Sequence, residues 1–533
     1  MADLTELIAE QFADLNQPGS PGATVAVVRE GEIAYSVSAG QASLEHSIPN
    51  QRDTVFYIAS TSKQFVGAPI AILEAEGKLS LDDDIRVYLP EMHTFGEPIR
   101  IYHLLHHTSG IRDKYALAPI GGLPEESYST DSGSLRLLAA QRTLNFPPGT
   151  QSTYSNSGYF LLAQIVERVT GQPLREFTHE RIFGPAGMDN TVFRDDPGLV
   201  IPKKASGYAR RAAGGWRLAE YTWAALGPGG VFTTVDDLAR WDRALDGGVL
   251  EPADLHERIL RKRPLVDGKP NNYAHGLMVD KHRGLRTIHH AGGVSGYSAE
   301  FLRFPDQRLT VICLANTSAA GSSMRARRVA EIFLEKHMEP AAAKVEASEG
   351  ISGVSREAFA GAYASEDQSA FAEITIDGEQ VVLRSGTLTM PLEVIDAKRL
   401  RSPAGFDMVF DDEGFATEAS DAAGAARKYK RLDVALPSGE DAHNIVGRYR
   451  SEELGRDIVI SVDAADLAIA RDGEKAAVAR RVGRDLLAWP VESGGEMPVA
   501  IVRDENGRAV ALKLGVDRRA VGVMFARIGR GGG

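Results

Sequence analysis

Apolar, β-branched runs at Ala23-Thr24-Val25-Ala26-Val27-Val28 and Ile33-Ala34-Tyr35-Ser36-Val37 flank a Glu30-Gly31-Glu32 turn, which predicts a β-hairpin. From Ser60 to about Glu76, and again from Gly158 to Gly171, apolar positions recur at helical spacing. Strand-like runs return at 286–290, 297–304 and 308–315, and a helical one follows at 322–337. Strands at both ends of this first part, around a helical middle, predict one mixed sheet with a helical region inserted. That is α+β organisation, without a repeating βαβ unit.

After Glu339-Pro340 the pattern changes. Residues 341–350 are small and polar and read as a linker. Beyond them come short alternating strands, with Asp377-Gly378 dividing Ile374-Thr375-Ile376 from Val381-Val382-Leu383 as a hairpin turn would. Gly361-Ala362-Tyr363-Ala364-Ser365-Glu366 recurs as Gly447-Arg448-Tyr449-Arg450-Ser451-Glu452, and Tyr429-Lys430-Arg431 is echoed by Phe525-Ala526-Arg527. A repeat of this kind predicts two related antiparallel β-domains, small sandwiches or barrels, divided near Pro437-Ser438-Gly439. The expected division is therefore 1–340, 341–437 and 438–533.

Composition narrows the function classes. Of 533 residues, 43% are hydrophobic and 25% charged, as in a globular protein with a substantial core. A net charge of −12 argues against nucleic acid or an anionic membrane surface as partner. The acidic start Met1-Ala2-Asp3-Leu4-Thr5-Glu6 has neither a basic region nor an apolar one, so no secretory leader is read. No run reaches the ~18 apolar residues of a membrane span. Cys313 is the only cysteine, which excludes an internal disulfide and fits a reducing, cytoplasmic setting. Its apolar run, Leu309–Ala315, predicts buried filler rather than a reactive thiol.

Candidate chemistry begins at Ser60-Thr61-Ser62-Lys63, where a hydroxyl and an amine three residues apart share one helix face. Serine needs a base to become nucleophilic, and lysine can serve only when held neutral. The plainer alternative is a helix cap and a solvated lysine. Tyr154-Ser155-Asn156 follows the turn Phe146-Pro147-Pro148-Gly149-Thr150. There Tyr154 could shuttle a proton once neighbouring cations depress its pKa, and Asn156 could hold a substrate amide. In His290-Ala291-Gly292-Gly293, His290 ends a strand, and Gly292-Gly293 lets a ligand approach the backbone closely. Backbone N–H groups of Ser60 and Gly293 are the candidate oxyanion donors. His289 is expected on the opposite strand face. His103, His106 and His107 lack the further ligand of a zinc pattern, so no metal is expected. Gly227-Pro228-Gly229-Gly230 lacks the lysine of a phosphate loop and reads as a turn near the site.

These three motifs in this order resemble the signatures of the penicillin-recognising serine hydrolases. That group takes in class C β-lactamases, D-alanyl-D-alanine carboxypeptidases, esterases and D-aminopeptidases. Leu105-His106-His107-Thr108-Ser109-Gly110-Ile111 and Ile182-Phe183-Gly184-Pro185-Ala186-Gly187-Met188 are similar to further stretches of the family. The resemblance implies a β-lactamase-like catalytic domain, an antiparallel sheet with helices on both faces and a helical subdomain, followed by two small antiparallel β-barrels. It implies Ser60 as the acylated nucleophile, Lys63 and Tyr154 as the proton-transfer pair, and His290, Gly292 and Asn156 lining the site. It also implies a homodimer without a cofactor.

Where class C enzymes typically carry Lys-Thr-Gly, this chain has His-Ala-Gly. A histidine there resembles the D-aminopeptidases and some carboxypeptidases of the family; of those, the D-aminopeptidases are similar to this chain throughout. The implied activity is release of an N-terminal D-amino acid from peptides, amides or esters through an acyl-enzyme. A carboxylesterase, or a D-alanyl-D-alanine carboxypeptidase with weak β-lactam hydrolysis, is the alternative. In D-aminopeptidases a loop of the last barrel reaches the site. Asp472, Glu474 and Arg480, in the run from Arg471 to Arg481, are its candidate gating residues here, against the alternative of a solvated hairpin tip.

Overall fold

The computed structural model describes residues 4–528 apart from 212, 341–354, 367–369, 386–387, 403–406, 412–415, 419–426, 433–441, 464–465, 492–494 and 517. The linker read at 341–350 and the division at 437–439 lie outside the described residues.

A six-stranded antiparallel sheet runs in the order Met278–His282, Leu285–Val294, Tyr297–Phe304, Leu309–Ala315, Ala23–Arg29, Glu32–Ala39. Its central strands read as continuous apolar runs because both faces are covered; Tyr297–Phe304 and Leu309–Ala315 are buried at every position. The edge strand Glu32–Ala39 is largely open and mixes polar with apolar residues. Helices Leu4–Glu10 and Ser322–Leu334 cover one face through Ile8 and Val329, packed with Val25, Val311 and Cys313. Burial pushes the Cys313 thiol up to about 12, so it stays protonated filler. The other face, with Ala26, Phe301 and Ile312, packs on the main core built from helices Gln64–Ala75, Asn156–Thr170 and Val235–Gly247. The hairpin, the strands and the helices stand where the hydrophobic pattern put them, with boundaries moved by a few residues. The sheet expected to be mixed is antiparallel throughout, since each neighbouring pair in it runs in opposite directions.

Two closed eight-stranded antiparallel barrels follow, from Gly361–Ser365 to Arg427–Arg431 and from Gly447–Ser451 to Ala520–Ile528. The repeat has a physical meaning. In each barrel the first-strand tyrosine pairs with a last-strand arginine, Tyr363 with Arg431 and Tyr449 with Arg527. The tyrosine hydroxyl donates to a carbonyl of the preceding turn, Phe359 in one barrel and Ile445 in the other. Each arginine reaches carbonyls of that same turn, Ala360 or Val446. The glycine beginning each motif makes room for the arginine, whose Nε would lie 2.9–3.0 Å from an added Cβ.

The second barrel is fused to the helical subdomain. Ala116, Leu117, Ile120 and Leu137 belong to the same apolar cluster as Ile445, Leu454 and Leu512 of the barrel. Arg112, about 2% exposed, sits at this junction.

Candidate active site

Ser60 and Lys63 lie in a single 3₁₀ turn, Ala59–Lys63, that runs into the helix Gln64–Ala75. At three residues per turn, positions i and i+3 eclipse, so the hydroxyl and the amine stack directly. Ala59 enters this turn with φ +47°, a left-handed conformation that a residue with a Cβ rarely adopts. The turn is locked against the Leu285–Val294 strand. Thr61 Oγ1 donates to the His290 carbonyl at 3.1 Å, and a Cβ on Gly292 would stand 2.1 Å from the Ile58 oxygen. Gly292 is therefore required for packing. Gly293 faces open space, with nothing within 4 Å of where its Cβ would be.

Lys63 Nζ lies 3.1 Å from Ser60 Oγ and donates to Asn156 Oδ1 at 3.0 Å and to the Pro228 carbonyl at 2.8 Å. The glycine-rich turn thus supplies a contact to the amine, with Gly227 and Gly230 both at φ +112°. Lys63 is completely buried, and burial holds its pKa well below the usual lysine value, against the opposing pull of Asp113. A neutral amine has two hydrogens, and Asn156 Oδ1 and the Pro228 oxygen can only accept. Both hydrogens are thereby used, and the lone pair is left facing the Ser60 hydroxyl.

Tyr154 stacks beside this group, with its ring centroid 4.8 Å from Lys63 Nζ. Its buried hydroxyl lies outside regular hydrogen-bond geometry, yet its interaction with the Ser60 side chain lowers its pKa. Burial outweighs that and raises the pKa overall, with a smaller lowering from Arg519. The depressed pKa expected for Tyr154 is therefore not found: desolvation disfavours a phenolate more than the nearby cations favour it. Tyr154 keeps its proton.

His290 is buried, and burial brings its pKa down to about 3. Its Nδ1 lies 2.6 Å from the Ala291 carbonyl and can only donate to it. Nε2 must then accept from the Tyr273 hydroxyl, 2.8 Å away. His290 is a neutral wall of the site. His289 points the other way, between Glu300 and Asp280. His103, His106 and His107 turn to separate backbone partners at Arg100, Tyr273 and Ser155.

Two contributors went unread in the sequence. Asp113 is completely buried, caps the helix Lys114–Gly121 by accepting from Tyr115 N–H at 2.9 Å, and accepts from Asn156 N–H at 2.6 Å. It fixes the residue that orients Lys63. The capping position of Asp113 was the only available signal. The second is the loop around 518–522 of the last barrel. The Arg519 carbonyl accepts from Asp113 N–H at 2.7 Å, and Asn145 donates to the carbonyls of Arg518 and Arg519.

Asp472, Glu474 and Arg480 are not brought to the site. Arg471 reaches the carbonyls of Pro119 and Ile120 at the end of the Lys114–Gly121 helix and holds Glu474 at 2.7 Å. Asp472 faces Arg448 at 3.4 Å, and Arg480 bridges Glu373 of the first barrel and Glu496. Asp472 and Glu474 pair within the last barrel, Arg480 joins the two barrels, and the barrel loop bonded to Asp113 and Asn145 is the one carrying Arg519.

The beta-lactamase family model matches residues 5–334. The chain belongs to the beta-lactamase family. Among relatives of this member, a D-aminopeptidase of Brucella anthropi is 27% identical over 520 residues, 95% of each chain. A D-aminopeptidase of Gluconobacter oxydans (strain 621H) is 31% identical over 315 residues, 59% of each. The octameric penicillin-binding protein homologue from Pyrococcus abyssi has a similar fold, at TM-score 0.58 and 23% identity, over 80% of this chain and 99% of that one. The chain is a D-aminopeptidase-like serine hydrolase of that family. No helix among the described residues is long and apolar enough to cross a membrane.

Proposed function

We propose that this enzyme releases an N-terminal D-amino acid from small peptides, amides or esters through an acyl-enzyme on Ser60. The observation that carries this is the buried Lys63 amine, whose two hydrogens are taken by Asn156 and Pro228 and whose lone pair meets Ser60 Oγ at 3.1 Å. Ser60 Oγ attacks the carbonyl carbon and its proton passes to Lys63. Backbone N–H groups of Ser60 and Gly293 hold the oxyanion. Tyr154, kept protonated by burial, gives its proton to the leaving amine and is reprotonated from Lys63. Water then cleaves the ester by the reverse proton route. Asp113 positions Asn156, and His290 walls the cleft. The relatives named D-aminopeptidase support the substrate class. We assign a cytoplasmic homodimer, on the single buried cysteine and the resemblance to D-aminopeptidases.

A second reading, D-alanyl carboxypeptidase or esterase, is favoured by Arg519, whose charge is felt at Tyr154 and would suit a substrate carboxylate. The test is a paired assay on D-alanine p-nitroanilide and its N-acetyl form, with Ser60→Ala as control. The proposal predicts turnover of the free-amine compound alone. Turnover of both, or of the acetylated one only, transfers the enzyme to the second reading.

A further inference from the structure

Resting on the acyl-enzyme proposal, the surroundings of Ser60 also define which residue is transferred. Ala59, immediately before the nucleophile, packs with Tyr57, Tyr221 and other aromatics in a small apolar cluster separate from the main core. Four partly buried side chains pack against that cluster, Val192, Ile201, Trp223 and Val294. Val294 ends the strand that carries Gly293, around which the space is open.

The rings form a continuous row. Tyr57 stacks on Tyr221 with centroids 4.1 Å apart and 17° between planes. Tyr221 meets Trp223 at 5.5 Å, and Trp223 stacks on Tyr115 at 4.8 Å and 27°. Tyr115 belongs to another element: it lies in the helix Lys114–Gly121 and donates its N–H to the capping Asp113. The row thus runs from the strand leading into the nucleophile's turn to the helix that Asp113 caps. Its inner members are closed off, Tyr57 at 3% and Tyr221 at 5% exposure, whereas Trp223 and Tyr115 keep part of their surface open. Partly solvated aromatic faces bordering a reaction centre are apolar surface that a ligand can cover.

We infer that this row receives the side chain of the residue that acylates Ser60, and that it selects a bulky apolar residue, aromatic above all, over alanine. Offset stacking on Trp223 and Tyr115 rewards a ring. A methyl group leaves the same surface wet.

The experiment compares kcat/KM for D-phenylalanine and D-alanine p-nitroanilides on the wild type, Trp223→Ala and Trp223→Phe, with thermal melts of each. The wild type is expected to favour phenylalanine by ~10-fold or more, the range a hydrophobic pocket can discriminate. Trp223→Ala should erase most of that preference while alanine turnover stays within ~3-fold, and Trp223→Phe should retain it. Preference for alanine in the wild type overturns the inference, and this needs no variant. An equal fall for both substrates in Trp223→Ala, with an unchanged melt, overturns it too. If neither anilide is turned over and an aryl fluorophosphonate leaves Ser60 unmodified, the acyl-enzyme proposal fails and this inference falls with it. Turnover with alanine preferred sinks the pocket alone.

Discussion

Arg112 gives the sharpest test of whether the last barrel is part of the catalytic unit. Its side chain, 1% exposed, meets Glu453 at 2.8 Å, Thr143 Oγ1 at 2.7 Å, Gln141 Oε1 at 3.2 Å, and the carbonyls of Val521 and Gly522 at 3.1 and 3.3 Å. Three of those five partners belong to the barrel. Burial works against the guanidinium's charge, and Glu453 offsets it. In Arg112→Met each of these acceptors loses the hydrogen bond from Arg112, and breaking a buried pair from one side costs about 3–5 kcal/mol. Glu453→Gln costs less, because Arg142 N–H still binds that side chain at 2.8 Å. A double-mutant cycle should return a coupling of about 1–3 kcal/mol. The assay is native-state hydrogen exchange at the amides of the Lys114–Gly121 helix, which reports opening of this junction. Because Asp113 follows Arg112 directly and positions Asn156, kcat should also fall by about 10–100-fold in Arg112→Met. Effects that add within ~0.5 kcal/mol, together with an unchanged kcat, would refute the coupling of barrel to site.

Other outcomes follow from single positions. Gly292→Ala should destabilise the enzyme and nearly abolish activity, since its Cβ would collide with the Ile58 oxygen at 2.1 Å, while Gly293→Ala should melt like the wild type; equal melts for the two would be the contrary result. His289 loses stability to its burial, but its hydrogen bonds to Asp280 and Glu300 outweigh that and raise its pKa to about 9. Stabilisation is then complete below pH ~6.5 and is lost as pH rises through about 9, up to ~3 kcal/mol in all. Melting across pH 6.5–9 should therefore decline more steeply for the wild type than for His289→Gln; identical slopes would contradict the pairing. Asp472→Ala and Glu474→Ala should leave KM for free-amine substrates within ~2-fold, and Arg480→Ala should loosen the contact between the barrels without changing kcat; a large KM rise would restore the gating role.

Much of the site was legible because its chemistry is local. Ser60 and Lys63 are fixed by spacing along one turn, and the barrels by an arginine–tyrosine device written twice. Gly292, read as room for a ligand, lies inside the strand and makes room for the Ile58 carbonyl. The rest depends on contacts between distant segments. Asp113 looks like any capping aspartate until Asn156, 43 residues on, is brought against it. Tyr273 supports His290 from a loop with no motif. The basic run at 471–481 had the right composition for a gate, yet its charges pair within the last barrel or across to the first, and the barrel loop bonded to Asp113 and Asn145 is the one at 518–522. The pKa of Tyr154 went the other way from expectation because burial is a tertiary quantity, invisible in a list of neighbouring cations.

The central claim is that a neutral Lys63 activates Ser60. Its most direct test is the rate at which an aryl fluorophosphonate modifies the intact enzyme, followed by mass spectrometry against pH for the wild type, Ser60→Ala and Lys63→Met. The account predicts one adduct, on Ser60, with a rate already high at neutral pH and falling only in acid as Lys63 takes up a proton. Ser60→Ala should be inert and Lys63→Met slower by ~10³-fold or more. Modification at another residue, or a Lys63→Met rate equal to that of the wild type, would contradict it.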